Sequence, residues 1–227
     1  MPNFDIIKEN KADKKSFRVS SIIGIFDLQN EHIKEHFSGS IDIENKDWNI
    51  GIIYGNSGTG KSTIAKQLFG NYFNNFNYNE NSIIDDMPKN KTLKEIIKMF
   101  NSVGFSSPMS WLKPYNVLSN GEKMRVDLAN CLLQEKDIII FDEYSSVINR
   151  EVAKIGSYAI QKSVRNKNKK FIAVSCHDDI IDWLEPDWVF CTNNMKFEFV
   201  KKKDPISKLI YMNVTEQYGK HLENIII

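Results

Sequence analysis

The stretch Trp48–Ser62, WNIGIIYGNSGTGKS, joins a short apolar run to a glycine-rich loop that ends in Lys-Ser. The loop fits the pattern G-x-x-x-x-G-K-[ST], and a helical pattern follows it directly. Glycines let the main chain curl until successive N–H groups point at phosphate oxygens, and the following helix adds the positive end of its dipole. This order therefore predicts a phosphate-binding loop. Its residues are Gly55, Asn56, Ser57, Gly58, Thr59, Gly60, Lys61 and Ser62, with Thr63 next in the helix.

Three side chains of this loop have separate expected tasks. The Lys61 ammonium is expected to reach the β- and γ-phosphates of a nucleoside triphosphate, and the Ser62 hydroxyl to ligate Mg²⁺. Thr63 is expected to hydrogen-bond near the α-phosphate. The loop alone leaves several classes open, among them kinases, GTPases, motors and recombinases.

A second apolar run, Ile138–Phe141, ends in the acid pair Asp142-Glu143. A buried strand that releases carboxylates at its carboxyl end delivers them to the crevice where α/β proteins bind ligands. Asp142 is placed to hold Mg²⁺, directly or through water. Glu143 is the candidate general base for an attacking water, or for a substrate hydroxyl if the chain is a phosphotransferase.

The pattern along the chain alternates strands with helices, which predicts an α/β fold with a mostly parallel central sheet flanked by helices. Two further segments, Phe17–Asp27 and Ser38–Ile43, are predicted as strands of a small antiparallel portion. The predicted core strands are Trp48–Tyr54, Ile138–Phe141 and Phe171–Cys176, and the predicted helices are Ser62–Phe69, Thr92–Val103, Asn120–Gln134 and Arg150–Val164.

Length and composition favour one domain, residues 1–227, with a single substantial core. The formal net charge is +1, whereas nucleic-acid-binding proteins typically have a strong excess of basic residues; local basic clusters are still compatible with this value. No apolar stretch is long enough to span a membrane, and the amino terminus has charges where a signal peptide is apolar. We therefore expect a soluble, cytoplasmic protein.

Three further motifs narrow the class. Leu118–Glu122, LSNGE, opens a helix, and its serine stands 23 residues before Asp142. His177 directly follows the strand FIAVSC and stands 34 residues after Glu143. The segment Ser145–Asn149 follows the acid pair. In sequence and position these segments resemble the signature motif, switch histidine and D-loop of ABC (ATP-binding cassette) ATPases. The longer pattern is similar to soluble bacterial and phage ABC ATPases, some of whose relatives are fused to a predicted acetyltransferase domain.

The resemblance implies a P-loop ATPase with ATP and Mg²⁺ as cofactors and a reduced helical subdomain at about 82–130. It implies catalytic roles for Lys61, Glu143 and His177. It also implies an ATP-dependent homodimer in which two chains stack head to tail around two ATP molecules. The signature residues of one chain would then contact the γ-phosphate held by the other; these residues are Ser119, Asn120 and Gly121.

The chain departs from the family pattern at several positions. Asn120 replaces a glycine of the signature, where its tolerance of left-handed backbone is expected to preserve the turn. Glu122 replaces Gln, and Asn149 replaces the usual Asp of the D-loop. No Gln follows a strand between the phosphate loop and the signature, and Asp85 or Asp86 is the nearest candidate to assist Mg²⁺.

The sequence leaves open which molecule the ATPase acts on, that is, its client. Only 58 residues separate Lys61 from Ser119, and the missing Gln is the residue that contacts membrane partners in transporters. These features favour a soluble switch acting on a protein or nucleic-acid client over the ATP-binding subunit of a transporter with separate membrane chains. For the adenine ring, Phe26 is the preferred stacking partner, with Phe17 and Phe37 as competitors.

Overall fold

The computed structural model describes residues 3–11, 16–28, 32–70, 76–146 and 148–200. Strands and helices alternate through most of the chain, as the apolar pattern predicts. Their bounds are β1 Asn3–Lys11, α1 Phe17–Ile25, β2 His32–Ser40, β3 Ile50–Tyr54, α2 Lys61–Phe69, α3 Ile83–Asp86, α4 Leu93–Ser102, α5 Pro108–Trp111, a 3₁₀ turn at Tyr115–Val117, α6 Asn120–Leu133, β4 Ile138–Phe141, α7 Arg150–Asn166, β5 Lys170–Ser175, α8 Ile180–Leu184, β6 Trp188–Cys191 and β7 Lys196–Phe199.

The central sheet has five strands in the order β4-β5-β3-β6-β7. The first four are parallel, and β7 pairs antiparallel with β6 at one edge. Because β3, β5 and β4 are parallel to one another, the phosphate loop after β3 and the acid pair after β4 both lie at the carboxyl ends of the strands. The predicted α/β class with a mostly parallel sheet is confirmed.

The core lies on both faces of this sheet. On one face Ile50 and Ile52 pack with residues of α4 and α6, and on the other Ile53 packs with Ile64 of α2 and with Phe37 of β2. The three isoleucines of β3 are fully buried. Burial on both faces is the reason for the unbroken apolar runs that mark the parallel strands.

The prediction of a strand at Phe17–Asp27 is wrong, because α1 occupies Phe17–Ile25. A short apolar run is compatible with the period of a helix and with that of a strand, and only a neighbouring strand to pair with would favour a strand. The helix buries none of its residues, and Phe17 is 85% exposed.

The small antiparallel sheet consists of β1 and β2, with Phe4 opposite Gly39 and Ile6 opposite Phe37. The predicted strand Ser38–Ile43 is therefore shifted, since β2 ends at Ser40. Ile41 and Ile43 are buried beyond its end. Among the described residues, no helix has the length and apolar character needed to cross a membrane.

Candidate nucleotide-binding site

The glycine-rich loop adopts backbone conformations that side chains disfavour. Gly58 and Gly60 have φ of +85° and +80°, in the left-handed region. A Cβ atom at Gly60 would lie 2.8 Å from the Phe37 ring, so glycine is needed there for space as well as for conformation. The Lys61 ammonium folds back over the loop and donates to the Asn56 carbonyl, with an Nζ–O distance of 2.6 Å.

Two residues after β6 brace this loop, and sequence reasoning missed both. The Asn193 side-chain oxygen accepts from the Asn56 amide at 2.9 Å, and the Thr192 hydroxyl lies 2.5 Å from that of Thr59. Thr192 also donates its backbone N–H to the Tyr54 carbonyl, which fixes it beside β3. The available signal was the polar pair that follows the apolar run WVFC, a pattern like that of the acid pair after β4.

The acid pair and the loop serine meet at one oxygen atom. The Ser62 hydroxyl donates to Oδ1 of Asp142 at 2.9 Å, and the Glu143 amide donates to the same oxygen at 3.0 Å. Hydroxyl and carboxylate oxygens are the donors that Mg²⁺ prefers, and magnesium sites commonly use one or two carboxylates beside substrate phosphates. The chemistry of this pair fits a magnesium ion.

The turn after β4 is strained. Glu143 and Ser145 have φ of +53° and +63°, which is unusual for residues other than glycine. Such conformations persist only where neighbouring structure enforces them, and here the Tyr144 amide between them donates to the Val174 carbonyl at 2.8 Å. The buried Tyr144 side chain anchors the turn, and Glu143 is left exposed.

A cavity of about 330 Å³ brings most of these groups together. Lys8, Glu35 and Phe37 of the β1–β2 sheet close one side of it, so Phe37 is the aromatic residue at the site. Phe26, the preferred candidate from sequence, is 65% exposed and does not line this cavity. The residues of the predicted site that line the cavity are Ser57, Gly58, Gly60, Lys61, Ser62, Thr63, Asp142 and Glu143.

His177 follows the carboxyl end of β5, next to the strand that carries the acid pair. Its amide donates to the Ser175 hydroxyl at 3.0 Å, and it is partly buried. It is not in the cavity lining, whereas its neighbour Cys176 is. Cys176 is exposed, and its sulfur lies 3.9 Å from the Ser146 hydroxyl.

The signature residues lie outside this cavity, at the start of α6. Ser119 is the N-cap: its hydroxyl donates to Oε2 of Glu122 at 2.8 Å and accepts from the Glu122 amide at 3.4 Å. The Ser119 amide donates to the same carboxylate at 3.0 Å, which completes a capping box, and the Ser110 hydroxyl donates to Oε1 at 2.7 Å. These hydrogen bonds, first that of Ser110, hold the pKa of Glu122 below its ordinary value.

Two departures from the family pattern have simple structural explanations. Asn120 is the first residue of α6 and has no left-handed conformation, so the expected reason for its tolerance was wrong. Asn149 caps α7 by accepting from the Glu151 amide at 2.8 Å, a role that Asp would fill equally well. Val147, within the D-loop segment, lies outside the described residues.

The acids at the expected position of the missing Gln have local partners. Oδ1 of Asp86 accepts from the amides of Asn79 and Glu80, at 3.0 and 3.1 Å, and Asp85 accepts from the Ser82 hydroxyl. Neither Asp85 nor Asp86 lines the cavity. Both carboxylates stabilise the turn before α3, and the suggested assistance to Mg²⁺ has no support in this geometry.

A partly buried polar cluster ties the same region to α6. The hydroxyls of Tyr78 and Tyr115 donate to the two oxygens of Asp127, at 2.7 and 2.8 Å, and the two rings stack with centroids 4.1 Å apart. Burial raises the pKa of Asp127 and of both tyrosines. The cluster joins the segment before α3, the 3₁₀ turn and the middle of α6.

Comparison with known proteins adds to this geometry. The family model described as ABC transporter matches residues 72–146, which include the LSNGE segment and the acid pair. ABC transporter E family member 3 of Arabidopsis thaliana is 30% identical over 155 residues, which are 56% of this chain and 84% of that protein. The chain belongs to the ABC family of ATPases.

Other relatives of this ABC ATPase are more distant. The energy-coupling factor transporter ATP-binding protein EcfA of Aster yellows witches'-broom phytoplasma is 27% identical over 180 residues, 61% of this chain. The chain spans 63% of the length of that relative. The solved dimer of the ATP-binding cassette MJ0796 with ADP and Pi has a TM-score of 0.61 at 12% identity, and the match covers 88% of this chain and 99% of that one. This likeness shows a shared fold.

ATPases of this family bind ATP with Mg²⁺ and hydrolyse the ATP. The predicted ABC fold and the ATPase activity class are thereby confirmed. The narrower likeness to soluble bacterial and phage ABC ATPases, with relatives fused to an acetyltransferase domain, stays a prediction.

Proposed function

We propose that this ABC ATPase works as a head-to-tail homodimer that closes around two ATP molecules and opens after hydrolysis. One observation carries the proposal: Ser119 lies at the start of α6, outside the cavity that Lys61 and Asp142 line. The signature of a second chain can contact the γ-phosphate that the first chain holds, because the start of α6 presents free N–H donors and the positive end of the helix dipole to a phosphate. The MJ0796 cassette, which has this fold, is a dimer.

Within each site, the chain's own residues divide the chemistry. The main-chain amides of the loop and the Lys61 ammonium bind the phosphates. Ser62 and Asp142 would hold Mg²⁺, which neutralises phosphate charge when bound. Glu143, exposed at the end of its strained turn, orients and deprotonates the attacking water, and His177 contacts the γ-phosphate from β5. Positioning and charge stabilisation supply most of the rate enhancement in reactions of this kind.

Trapping the closed dimer tests this mechanism. Glu143→Gln should bind ATP with Mg²⁺, release phosphate at least about 100-fold more slowly than wild type, and run as a dimer in light scattering. Ser119→Arg in the same background should bind ATP but stay monomeric. Wild-type turnover by Glu143→Gln would exclude the general-base role, and a dimer of the Ser119→Arg form would exclude the head-to-tail arrangement. Phosphate release without an added acceptor separates this ATPase from a phosphotransferase.

We further propose that the dimer is the cytoplasmic ATP-binding component of a transporter with separate membrane chains. The EcfA relatives are named as transporter ATP-binding proteins, which supports this reading over the soluble switch favoured on sequence grounds. The segment from α5 to the signature exposes large apolar side chains, namely Met109 at 72%, Leu112 at 64% and Val117 at 61%. Exposed apolar residues this close together are typical of a surface that meets a partner.

The soluble switch is a second candidate, supported by the short helical region and the missing Gln. Purifying the trapped Glu143→Gln dimer from detergent-solubilised cells distinguishes the two, with mass spectrometry of the retained proteins. An integral membrane protein should co-purify and be lost with Met109→Glu/Leu112→Glu. The matched control is Ile155→Glu/Tyr158→Glu, which changes exposed apolar residues of α7. Retention of only water-soluble proteins or nucleic acid would favour the switch.

A further inference from the structure

A second, larger cleft lies at the amino ends of the parallel strands, away from the nucleotide site. It has a volume of about 1420 Å³ and is bounded by α4, the end of α6, the end of α7 and the first residues of β4 and β5. The nucleotide site lies at the opposite, carboxyl ends of these strands. The six residues of β5 separate the two edges by about 20 Å, at ~3.3 Å per residue. We call this cleft the lysine trough.

The trough concentrates positive charge in a chain whose formal net charge is only +1. Seven lysines and three carboxylates line it, an excess of four positive charges. Some lysines have structural partners: Lys91 pairs with Glu135 at 2.8 Å, and Lys169 donates to the Leu132 carbonyl at 3.1 Å. Among the described residues, Lys98 and Lys167 have no carboxylate within salt-bridge distance, and both are exposed. Their charges are available to a ligand.

The lysines of the trough repel one another. Partial loss of water around the otherwise exposed Lys167 side chain, and then the charges of Lys98 and Lys91, hold the pKa of Lys167 below its ordinary value. The pKa of Lys169 is lowered by burial and then by Lys167 and Lys91. An anion bound among these side chains would relieve the repulsion that each of them experiences.

The shape and lining of the trough indicate the kind of anion. Its volume exceeds the ~300–1,000 Å³ of typical small-molecule pockets, and its lysines lie on several elements instead of converging on one point. A concave trough does not match a flat bilayer. The side-chain amides of Asn166 and Asn168 add neutral hydrogen-bond donors beside the charges. Among the residues that the structure describes, no aromatic side chain and no arginine lines the trough, so this lining lacks the groups that stack on bases or read their edges.

We propose that the lysine trough binds the phosphate backbone of a single-stranded nucleic acid without sequence preference. Repeated phosphates match cations spread over several elements, and lysine contacts a phosphate as a point charge. The proposal depends neither on the membrane partner nor on ATP hydrolysis, because no residue of the trough belongs to the nucleotide site.

Fluorescence anisotropy of a labelled, mixed-sequence single-stranded RNA of about 20 nucleotides tests the proposal on the full chain. The reversal Lys98→Glu/Lys167→Glu should weaken binding at least tenfold. Lys94→Glu/Lys154→Glu is the matched control, because it makes the same change in net charge on exposed residues of α4 and α7 outside the trough. Its affinity should stay within about twofold of wild type. Equal losses in both variants, or no wild-type binding at low salt, would overturn the assignment.

A milder variant guards against misfolding and measures the contacts directly. Lys98→Gln/Lys167→Gln should reduce the slope of log K against log salt by about 1.4, at ~0.7 per phosphate contact on a single strand. Its ATPase rate should equal that of wild type, and an unchanged salt slope would contradict the proposal. Loss of RNA binding by Lys61→Ala would place the RNA in the nucleotide site instead. Displacement by polyglutamate as effective as by unlabelled RNA, or tighter binding of duplex RNA, would rule out the proposed ligand.

Discussion

Glu122→Gln should lower the stability of the folded chain and at the same time strengthen its ATP-dependent dimer. In the structure the Glu122 carboxylate accepts three hydrogen bonds, from the Ser119 amide and hydroxyl and from the Ser110 hydroxyl. It also places a negative charge at the start of α6. In the proposed dimer this is the place where the partner's γ-phosphate binds, so the carboxylate stabilises the helix but opposes the phosphate.

The two effects can be estimated separately. Glutamine keeps the shape of the capping box but loses charge assistance to the hydrogen bonds and the favourable interaction with the helix dipole. For this partly exposed group the cost is about 1 kcal/mol, or roughly 2–4 °C in melting temperature. Removing one unit charge about 8 Å from a phosphate charge, at an effective dielectric constant of about 20, strengthens each of the two contacts in the dimer by about 2 kcal/mol. The two contacts together give about 4 kcal/mol, which corresponds to roughly 1,000-fold in the dimer dissociation constant.

The assay combines thermal unfolding with light scattering in the Glu143→Gln background with ATP and Mg²⁺. The control is Glu95→Gln, since Glu95 and Thr92 form an equivalent capping box on α4, remote from the signature. The control should lower the melting temperature without changing the dimer. An unchanged or weaker dimer of Glu122→Gln, or equal strengthening in the control, would refute the reasoning.

The pH dependence of Glu122→Gln follows from the lowered pKa of Glu122. A carboxyl group whose pKa is lowered on folding stabilises the protein above its unfolded pKa and loses this contribution as pH falls through the folded value. The difference in melting temperature between wild type and Glu122→Gln should therefore be full at neutral pH and shrink below the ordinary pKa of 4.5.

The remaining predictions concern the phosphate loop and the core. Lys61→Ala should reduce ATP affinity at least about 100-fold by calorimetry, because a charged contact to two phosphates is lost; unchanged affinity would exclude the proposed loop. Gly51→Ala should destabilise the fold by about 1–3 kcal/mol in urea, since its Cβ would lie 2.0 Å from the buried Trp188 ring, whereas Gly70→Ala, with open space around it, should be tolerated. Asp127→Leu should lower the free energy of unfolding by about 1–3 kcal/mol, because two partly buried tyrosine hydroxyls lose their acceptor; equal stability would show that water replaces it.

Local patterns predicted the parts of the molecule whose structure is determined locally. The phosphate loop requires fixed spacings of Gly, Lys and Ser, and the buried strands require unbroken apolar runs. The sequence therefore located the loop and strands β3, β4 and β5, with boundaries within two residues. Asp142 was correctly expected near the loop, because parallel strands end at the same edge of a sheet.

Features decided by distant partners could not be predicted in this way. The apolar segment of α1 has no strand to pair with, and its sequence alone cannot show this. The brace formed by Thr192 and Asn193 depends on the position of β6 next to β3 in the sheet. The position of Phe37 at the cavity depends on the packing of β2 against Gly60, and no local pattern in the sequence distinguishes Phe37 from Phe26.

Helix α6 gives the molecule a mechanical connection between its two ends. Its 14 residues span about 21 Å, with Ser119 at its amino end and the Leu132 carbonyl, bound by Lys169, at its other end. In the proposed dimer, a ligand of the lysine trough that displaces Lys169 would act on the helix that carries the signature. By thermodynamic linkage, closure of the dimer around nucleotide would then change the affinity of the trough for that ligand by the same factor.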